Sequence, residues 1–227
     1  MNWRFLIFGM DFAWSSGKGS LMNNVMARAG SRTQEIQTEL LRKGIHLMVG
    51  ITPLLASISL PVTEMLLVTG LLVYSFSESM RLSGLEIPLI SRLTRMASRS
   101  RDRNKAVLGP ITLGLGALLC LMLYPEPAAA VGIYALAFGD GLSSVVGKLF
   151  GRIKMPFTGG KTLEGSMAAF LAIYCAAFIA SGKPLVSLIV ALAGTVLEAL
   201  PLEDLDNLVI PLGTAMVFAT VAVALPF

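Results

Sequence analysis

Charge is the scarcest component of this sequence: only 14% of its 227 residues are Asp, Glu, Lys or Arg, against about 25% in soluble globular proteins. So few charges cannot cover the surface of a soluble domain of this length, which excludes a cytosolic single-domain enzyme. The two cysteines, Cys120 and Cys175, lie inside apolar runs without CxxC or Cys/His spacing, which excludes a disulfide framework and a zinc site. With 22 glycines and 11 prolines, the chain is neither collagen-like nor of low complexity. No internal repeat is visible, which argues against an inverted-repeat transporter. What is present is apolar sequence, 55% of all residues, the composition of a polytopic membrane protein.

Seven apolar segments can be read between the charges. Gly44 to Thr63, Ala106 to Pro125, Gly165 to Gly182 and Asn207 to Phe227 approach or exceed the ~20 residues that cross a ~30 Å hydrocarbon core. Met65 to Ser77, Pro127 to Gly139 and Pro184 to Leu197 are too short unless they carry Glu78, Asp140 and Glu198 inward. The expected fold is therefore all-α, an integral membrane protein of about seven transmembrane helices. Pro125 and Pro127 mark a tight hairpin, and Glu64 and Glu126 are expected in turns between spans. Of the 18 basic residues, all but Lys183 fall within 1–43, 81–105, 148–164 and 199–206. The positive-inside rule then places the N-terminus and the polar face of the bundle in the cytoplasm. Residues 1–38 read as a cytoplasmic or interfacial extension ahead of a membrane-embedded domain over 39–227. Phe5 to Trp14 is too short to span and contains Asp11; an interfacial helix, or a native start at Met22 or Met26, accounts for it.

An ionisable residue inside a membrane helix costs about 2.5–3.5 kcal/mol on insertion scales, so its retention points to function. His46, Glu78, Asp140, Glu164, Glu198 and Asp206 all fall toward the same end of their spans. Asp140, Ser143, Ser144, Gly147 and Gly151 recur at three- and four-residue steps, one small polar helix face. That pattern suits either close helix packing around a buried Asp or a ligand site. The following loop carries Lys148, Arg152, Lys154 and Lys161 with Gly159 and Gly160, ahead of a helix expected to begin near Thr162. Exposed backbone N–H groups, point charges and a helix N-terminus together suit phosphate. The loop is not a P-loop, because Met155 stands where that motif needs glycine. Glu164, three residues after Lys161, reads as its local ion-pair partner. Asp206 reads either as an N-cap or as sharing a magnesium ion with Asp140, since magnesium takes few carboxylates plus water and substrate phosphate. Arg42, Lys43 and His46 share a helical face suited to an anion, and Glu78 and Arg81 form an i, i+3 pair.

Taken together, Arg42-Lys43-Gly-Ile-His46, Phe138-Gly-Asp-Gly-Leu-Ser-Ser-Val-Val-Gly147, Gly160-Lys-Thr-Leu-Glu-Gly-Ser166 and Asp206-Asn-Leu-Val-Ile-Pro211 resemble the motifs of the CTP-dependent polyprenol and lipid-alcohol kinases. That family includes dolichol kinase, phytol kinase and a CTP-using diacylglycerol kinase, and is distantly related to phosphatidate cytidylyltransferase. The resemblance runs from about Glu39 to the C-terminus. It departs at Lys161-Thr162, where the family commonly has Lys-Ser, and at Asp204-Leu205-Asp206-Asn207, where a paired Asp-Asp often precedes the Asn. This second departure leaves open whether Asp206 acts alone or with Asp204.

The resemblance implies transfer of the γ-phosphoryl group of CTP to the hydroxyl of a membrane lipid alcohol such as phytol, a dolichol-like polyprenol or diacylglycerol. Asp140 and Asp206 would hold Mg2+ with Glu198. Lys148, Arg152, Gly159, Gly160, Lys161, Thr162 and Asn207 would bind the nucleotide, Asn207 and Glu198 orienting the metal shell. His46, Glu78 and Asp140 are the candidates for the base. CTP, the lipid alcohol and the bilayer are the expected partners, with no nucleic acid. A cytidylyltransferase that moves CMP onto a phospholipid, and a non-enzymatic transporter or scaffold, are the rival readings.

Overall fold

The computed structural model describes residues 37–85, 87–98 and 105–225. Ten α-helices form within them: α1 (37–49), α2 (Thr52–Ile58), α3 (Leu60–Leu82), α4 (Pro88–Ala97), α5 (Gly109–Leu123), α6 (Glu126–Tyr134), α7 (Gly141–Phe150), α8 (Leu163–Ser181), α9 (Pro184–Ala199) and α10 (Asp206–Ala224). A π-helical turn, Ala135–Asp140, joins α6 to α7, and a 3-10 turn, Glu203–Leu205, leads into α10. The extension expected over residues 1–38 lies almost wholly outside the described residues.

Proline sets most of the helix starts. It occupies the first or second position of α2, α3, α4, α5, α6 and α9, where its missing N–H has no partner to lose and its fixed φ is already helical. The hairpin expected at Pro125 and Pro127 forms between α5 and α6. Prolines also divide the sequence expected to form one span from Gly44 to Thr63. That stretch breaks after α1 and again at Ser59, an extended residue just before Leu60-Pro61. Glu64 consequently lies inside α3 rather than in a turn.

Among the described residues, four helical stretches are long and apolar enough to cross a membrane: Leu60–Leu82, Glu126–Phe150, Leu163–Ser181 and Glu203–Ala224. The apolar helices α5 and α9 are shorter, 15 and 16 residues. The all-α membrane architecture is as expected, whereas the count of seven spans is not reproduced as seven such helices. The largest change concerns the segment read as Pro127 to Gly139. It continues through Asp140 to Phe150 as a helix of 25 residues, so Asp140 stands in its interior rather than at its end. At 1.5 Å per residue such a helix is about 37 Å long, longer than the hydrocarbon core.

In the apolar window of that helix 61% of residues are buried, against 11% for α3, so it is the most enclosed of the four and α3 the most exposed. α10 packs on α5, α6 and α9, and α8 lies between α7 and α9. One core cluster joins Val131 of α6, Ile173 of α8, Val190 of α9 and Ile210 of α10, and a second joins Cys120 of α5 to Ile133 and Ala215. In lipid there is no hydrophobic drive between helices, so contact depends on close backbone approach. Gly116 against the Asn207 carbonyl and Gly132 against the Pro211 carbonyl supply it, as a Cβ at either position would collide with main chain.

Candidate active site

The π turn ends on Asp140. Such turns are rare, carry an extra residue per turn and recur at functional sites. Asp140 is flanked by Gly139 and Gly141, and a Cβ on Gly141 would touch the Leu47 side chain of α1. α1 therefore passes close enough for two of its side chains to reach the aspartate. Lys43 Nζ donates to Asp140 Oδ2, and His46 Nδ1 lies 3.1 Å from the same oxygen without the alignment of a hydrogen bond. All three side chains are buried, each 3–4% exposed, so the aspartate and lysine charges are tolerable only as a pair.

One turn earlier on α1, Glu39 performs the matching task for α7. It accepts from Ser144 Oγ at 2.6 Å, from Arg42 Nη1 at 3.0 Å and lies 3.0 Å from Lys148 Nζ. Burial pushes its carboxyl upward, but Arg42, the Ser144 hydroxyl, Lys43 and Lys148 outweigh that and lower it to about 2. Of the polar helix face expected from spacing, Asp140, Ser143, Ser144 and Gly147 line one cavity of about 210 Å³, joined by Lys148, whereas Gly151 does not line it.

The opposite wall comes from the loop after α7 and from α9. Glu198, buried at the end of α9, accepts from Ser143 Oγ at 2.8 Å and Lys161 Nζ at 2.9 Å, with Ser166 Oγ at 3.5 Å. Lys161 Nζ also reaches the Glu198 main-chain carbonyl. The local Lys161–Glu164 pair expected from sequence is thus replaced. Lys161 is drawn across to α9, while Glu164 accepts the backbone N–H groups of Arg152 and Ile153 at 3.0 and 3.3 Å. A short bridge closes the base of the loop, Met155 N–H to the Lys161 carbonyl and Leu163 N–H to the Ile153 carbonyl, both 2.9 Å. Gly159 and Gly160 turn the chain with φ of 70° and 97°, a conformation that favours glycine.

Thr162 is the N-cap of α8, its hydroxyl accepting from Gly165 N–H at 3.2 Å. It fits only because Gly147 and Gly151 leave room, since a Cβ on either would come within 3.0 Å of its oxygen. Asp206 lines the cavity from the start of α10. It is the first residue of that helix rather than its N-cap, because the 3-10 turn runs straight into α10. Asp204 is not among the lining residues.

Of the residues nominated from sequence, Asp140, Lys148, Gly159, Gly160, Lys161, Thr162, Glu198 and Asp206 line the cavity. His46 supports Asp140 from behind. Three others lie elsewhere. Glu78 accepts from Arg81 at 2.7 and 2.8 Å and from Val107 N–H at 2.6 Å, a closed structural pair. Arg152 is solvent-exposed and offers its backbone to Glu164. Asn207 Nδ2 donates to Thr112 Oγ1 at 2.9 Å, tying α10 to α5. The sequence places Lys43, Ser143 and Ser144 on faces suited to a ligand without giving them roles, and singles out neither Glu39 nor Ser166. The i, i+3 spacing of Glu39 and Arg42 was the available signal for Glu39; for Ser166 there was none.

Among the described residues no three His, Cys, Asp or Glu side chains gather as a metal cage. Asp140 and Asp206 nonetheless face one cavity, close enough for each charge to feel the other. Two carboxylates suffice for magnesium, which completes its shell with water and substrate phosphate, so the donor set fits that ion. The cavity is smaller than the ~300–1,000 Å³ of pockets for drug-sized ligands; it matches phosphate groups rather than a whole nucleotide.

No family model matches the chain, and no solved structure matches it. Curated relatives do. The chain is 30% identical over 143 residues to a probable phytol kinase, chloroplastic, of Triticum aestivum, covering 55% of this chain and 48% of that protein. It is 30% identical over 200 residues to the farnesol kinase, chloroplastic, of Arabidopsis thaliana, covering 78% and 64%. To the phytol kinase of Synechocystis sp. it is 34% identical over 98 residues, covering 39% and 42%. The chain thus spans less than two thirds of the length of each of these relatives. Together with the motifs gathered around the cavity, these likenesses to phytol and farnesol kinases support assignment of the chain to the polyprenol and lipid-alcohol kinase family.

Proposed function

We propose that this protein is a membrane kinase that transfers the γ-phosphoryl group of CTP to the hydroxyl of an isoprenoid alcohol of the phytol or farnesol class. The observation that carries the reading is the single cavity where Lys43, Lys148 and Lys161 meet Asp140 and Asp206 beside Gly159 and Gly160. Phosphoryl transfer asks a protein for positioning and charge neutralisation rather than covalent chemistry. Lys148 and Lys161 neutralise the donor phosphates, and the N-terminal turn of α8 adds backbone N–H groups. Asp140 and Asp206 would hold Mg2+, which when bound would supply further charge neutralisation. Lys43 and His46 both engage Oδ2 of Asp140, which leaves Oδ1 for the metal; the acceptor oxygen attacks the γ-phosphorus, its proton passes to water and CDP departs. Glu198 holds Lys161 in place. The cavity opens on the side that carries almost all the Lys and Arg, assigned to the cytoplasm by the positive-inside rule.

The decisive assay supplies CTP labelled at the γ or the α position to reconstituted protein with phytol, farnesol, a polyprenol or diacylglycerol. Label from the γ position alone in the lipid extract is the expected outcome. Label from the α position instead would establish cytidylyl transfer, and label in no lipid with any of the four acceptors would sink the kinase reading.

A further inference from the structure

The loop between α7 and α8 has an outer surface that the proposed chemistry does not use. Leu149, Phe150, Ile153 and Phe157 are 53, 67, 58 and 98% exposed, and the exposed cations Arg152 and Lys154 stand between them. Phe157 occupies the tip with φ of 63°, a backbone region that a bulky side chain rarely adopts. The turn is held by the Thr158 hydroxyl on the Met155 carbonyl at 2.9 Å and by the bridge at its base. The fold thus holds an aromatic ring away from the protein at the point where the chain reverses.

Where this surface lies is fixed by its neighbours. The loop leaves the end of one membrane-crossing stretch, Glu126–Phe150, and enters the next at Leu163. Leu163 and Met167, 41 and 58% exposed, continue the apolar surface down α8. A loop joining two spans sits at the membrane boundary, where alternating aromatic and basic residues place rings at headgroup level and cations against lipid phosphates.

We infer that the Phe157 loop is an interfacial anchor that inserts into the headgroup–acyl boundary of the bilayer and fixes the height of Gly159, Gly160 and Lys161, two to four residues further on. A wall of the cavity is thereby held at the depth where the hydroxyl of a membrane-dissolved alcohol emerges. This second consequence rests on the kinase reading; insertion itself does not.

The test places a tryptophan at the tip, Phe157→Trp, and independently at the flank, Ile153→Trp, in full-length protein reconstituted in nanodiscs of phosphatidylcholine and phosphatidylglycerol. The emission added over the unaltered protein should be blue-shifted, and quenched more by lipids brominated near the carbonyl end of the acyl chain than near the methyl end. Added emission at both positions that is unquenched by either lipid overturns the proposal and assigns the patch to protein contact, with the segment before residue 37 or with a second copy. In the same nanodiscs Phe157→Asp should lower turnover of membrane-dissolved phytol while Phe157→Leu retains it; equal turnover by all three proteins removes the link to acceptor height. If no lipid is phosphorylated by any of them, the kinase reading fails, while the quenching result still decides insertion.

Discussion

Glu78 and Asp140 are both carboxylates buried to 4% exposure in helices that cross the membrane, and each is paired with a cation. Glu78 finds its partner three residues along its own helix and takes one further hydrogen bond, from Val107 N–H. Asp140 has no cation on its own helix within reach; Lys43 and His46 come from 97 and 94 residues away in sequence. A local pair forms wherever its helix forms and leaves little unused. A pair assembled from separate helices requires the whole bundle, and here it leaves a cavity with further lysines and a second aspartate around it. The same residue type at similar burial therefore braces the rim of the protein in one place and equips a site in the other.

The contrast is sharpest if each carboxylate is neutralised in turn. Asp140→Asn, which keeps the shape of the side chain, should abolish or reduce lipid phosphorylation by about 10²- to 10³-fold, the scale of removing one preorganised charge from a transition state, with thermal unfolding in detergent still cooperative. A folded Asp140→Asn protein with normal turnover would break the assignment. Lys161→Ala should act comparably, through phosphate binding.

A smaller loss is expected at Glu198, which touches Lys161 rather than substrate. Glu198→Ala should lower kcat by about tenfold, the scale of one charge-assisted hydrogen bond. Glu198→Gln, which can still accept from Ser143 and Lys161, should recover part of that loss; identical kinetics for the two variants would argue against positioning. Glu78→Gln should show the reverse pattern, a stability loss of about 1–3 kcal/mol by thermal or SDS unfolding with specific activity unchanged. Loss of activity in folded Glu78→Gln protein would return Glu78 to the catalytic set.

The smallest effect concerns acid stability. Glu39 is held near 2 in the folded protein, below the ordinary 4.5, so it contributes stability that is complete above about 4.5 and disappears as pH falls through about 2. Unfolding midpoints measured from pH 6 to 3 should decline, and decline less steeply in Glu39→Gln. Parallel curves would show that Glu39 does not supply the linkage.

Much of the fold was legible because its signals are local. Apolar runs, the hairpin at Pro125 and Pro127 and the three- and four-residue spacing of Asp140, Ser143, Ser144 and Gly147 act within a few residues, and each appears in the structure. The reading failed where a local rule met a distant competitor. Lys161 and Glu164 have ion-pair spacing, yet Glu198 takes the lysine and two backbone N–H groups take Glu164. Glu78 has the credentials of an intramembrane acid, yet its expected pair with Arg81 forms and the distant Val107 N–H occupies the same carboxylate. Asp140, expected to be carried inward near the end of its span, stands inside a longer helix, where the cations of α1 balance its charge.

The sequence by itself determined that this is an all-helical membrane protein, that its basic residues gather in a few segments between apolar runs, and that a small polar face on one helix is followed by a glycine and lysine loop. These follow from hydropathy, charge and helical periodicity, which need no knowledge of neighbours. Tertiary structure alone decided which charges meet. Lys43 and Asp140, Glu39 and Lys148, and Lys161 and Glu198 are partners only because glycines at the helix crossings bring α1, α7, α8 and α9 together. Pairing at that range depends on the path of the backbone, which no spacing along the chain encodes.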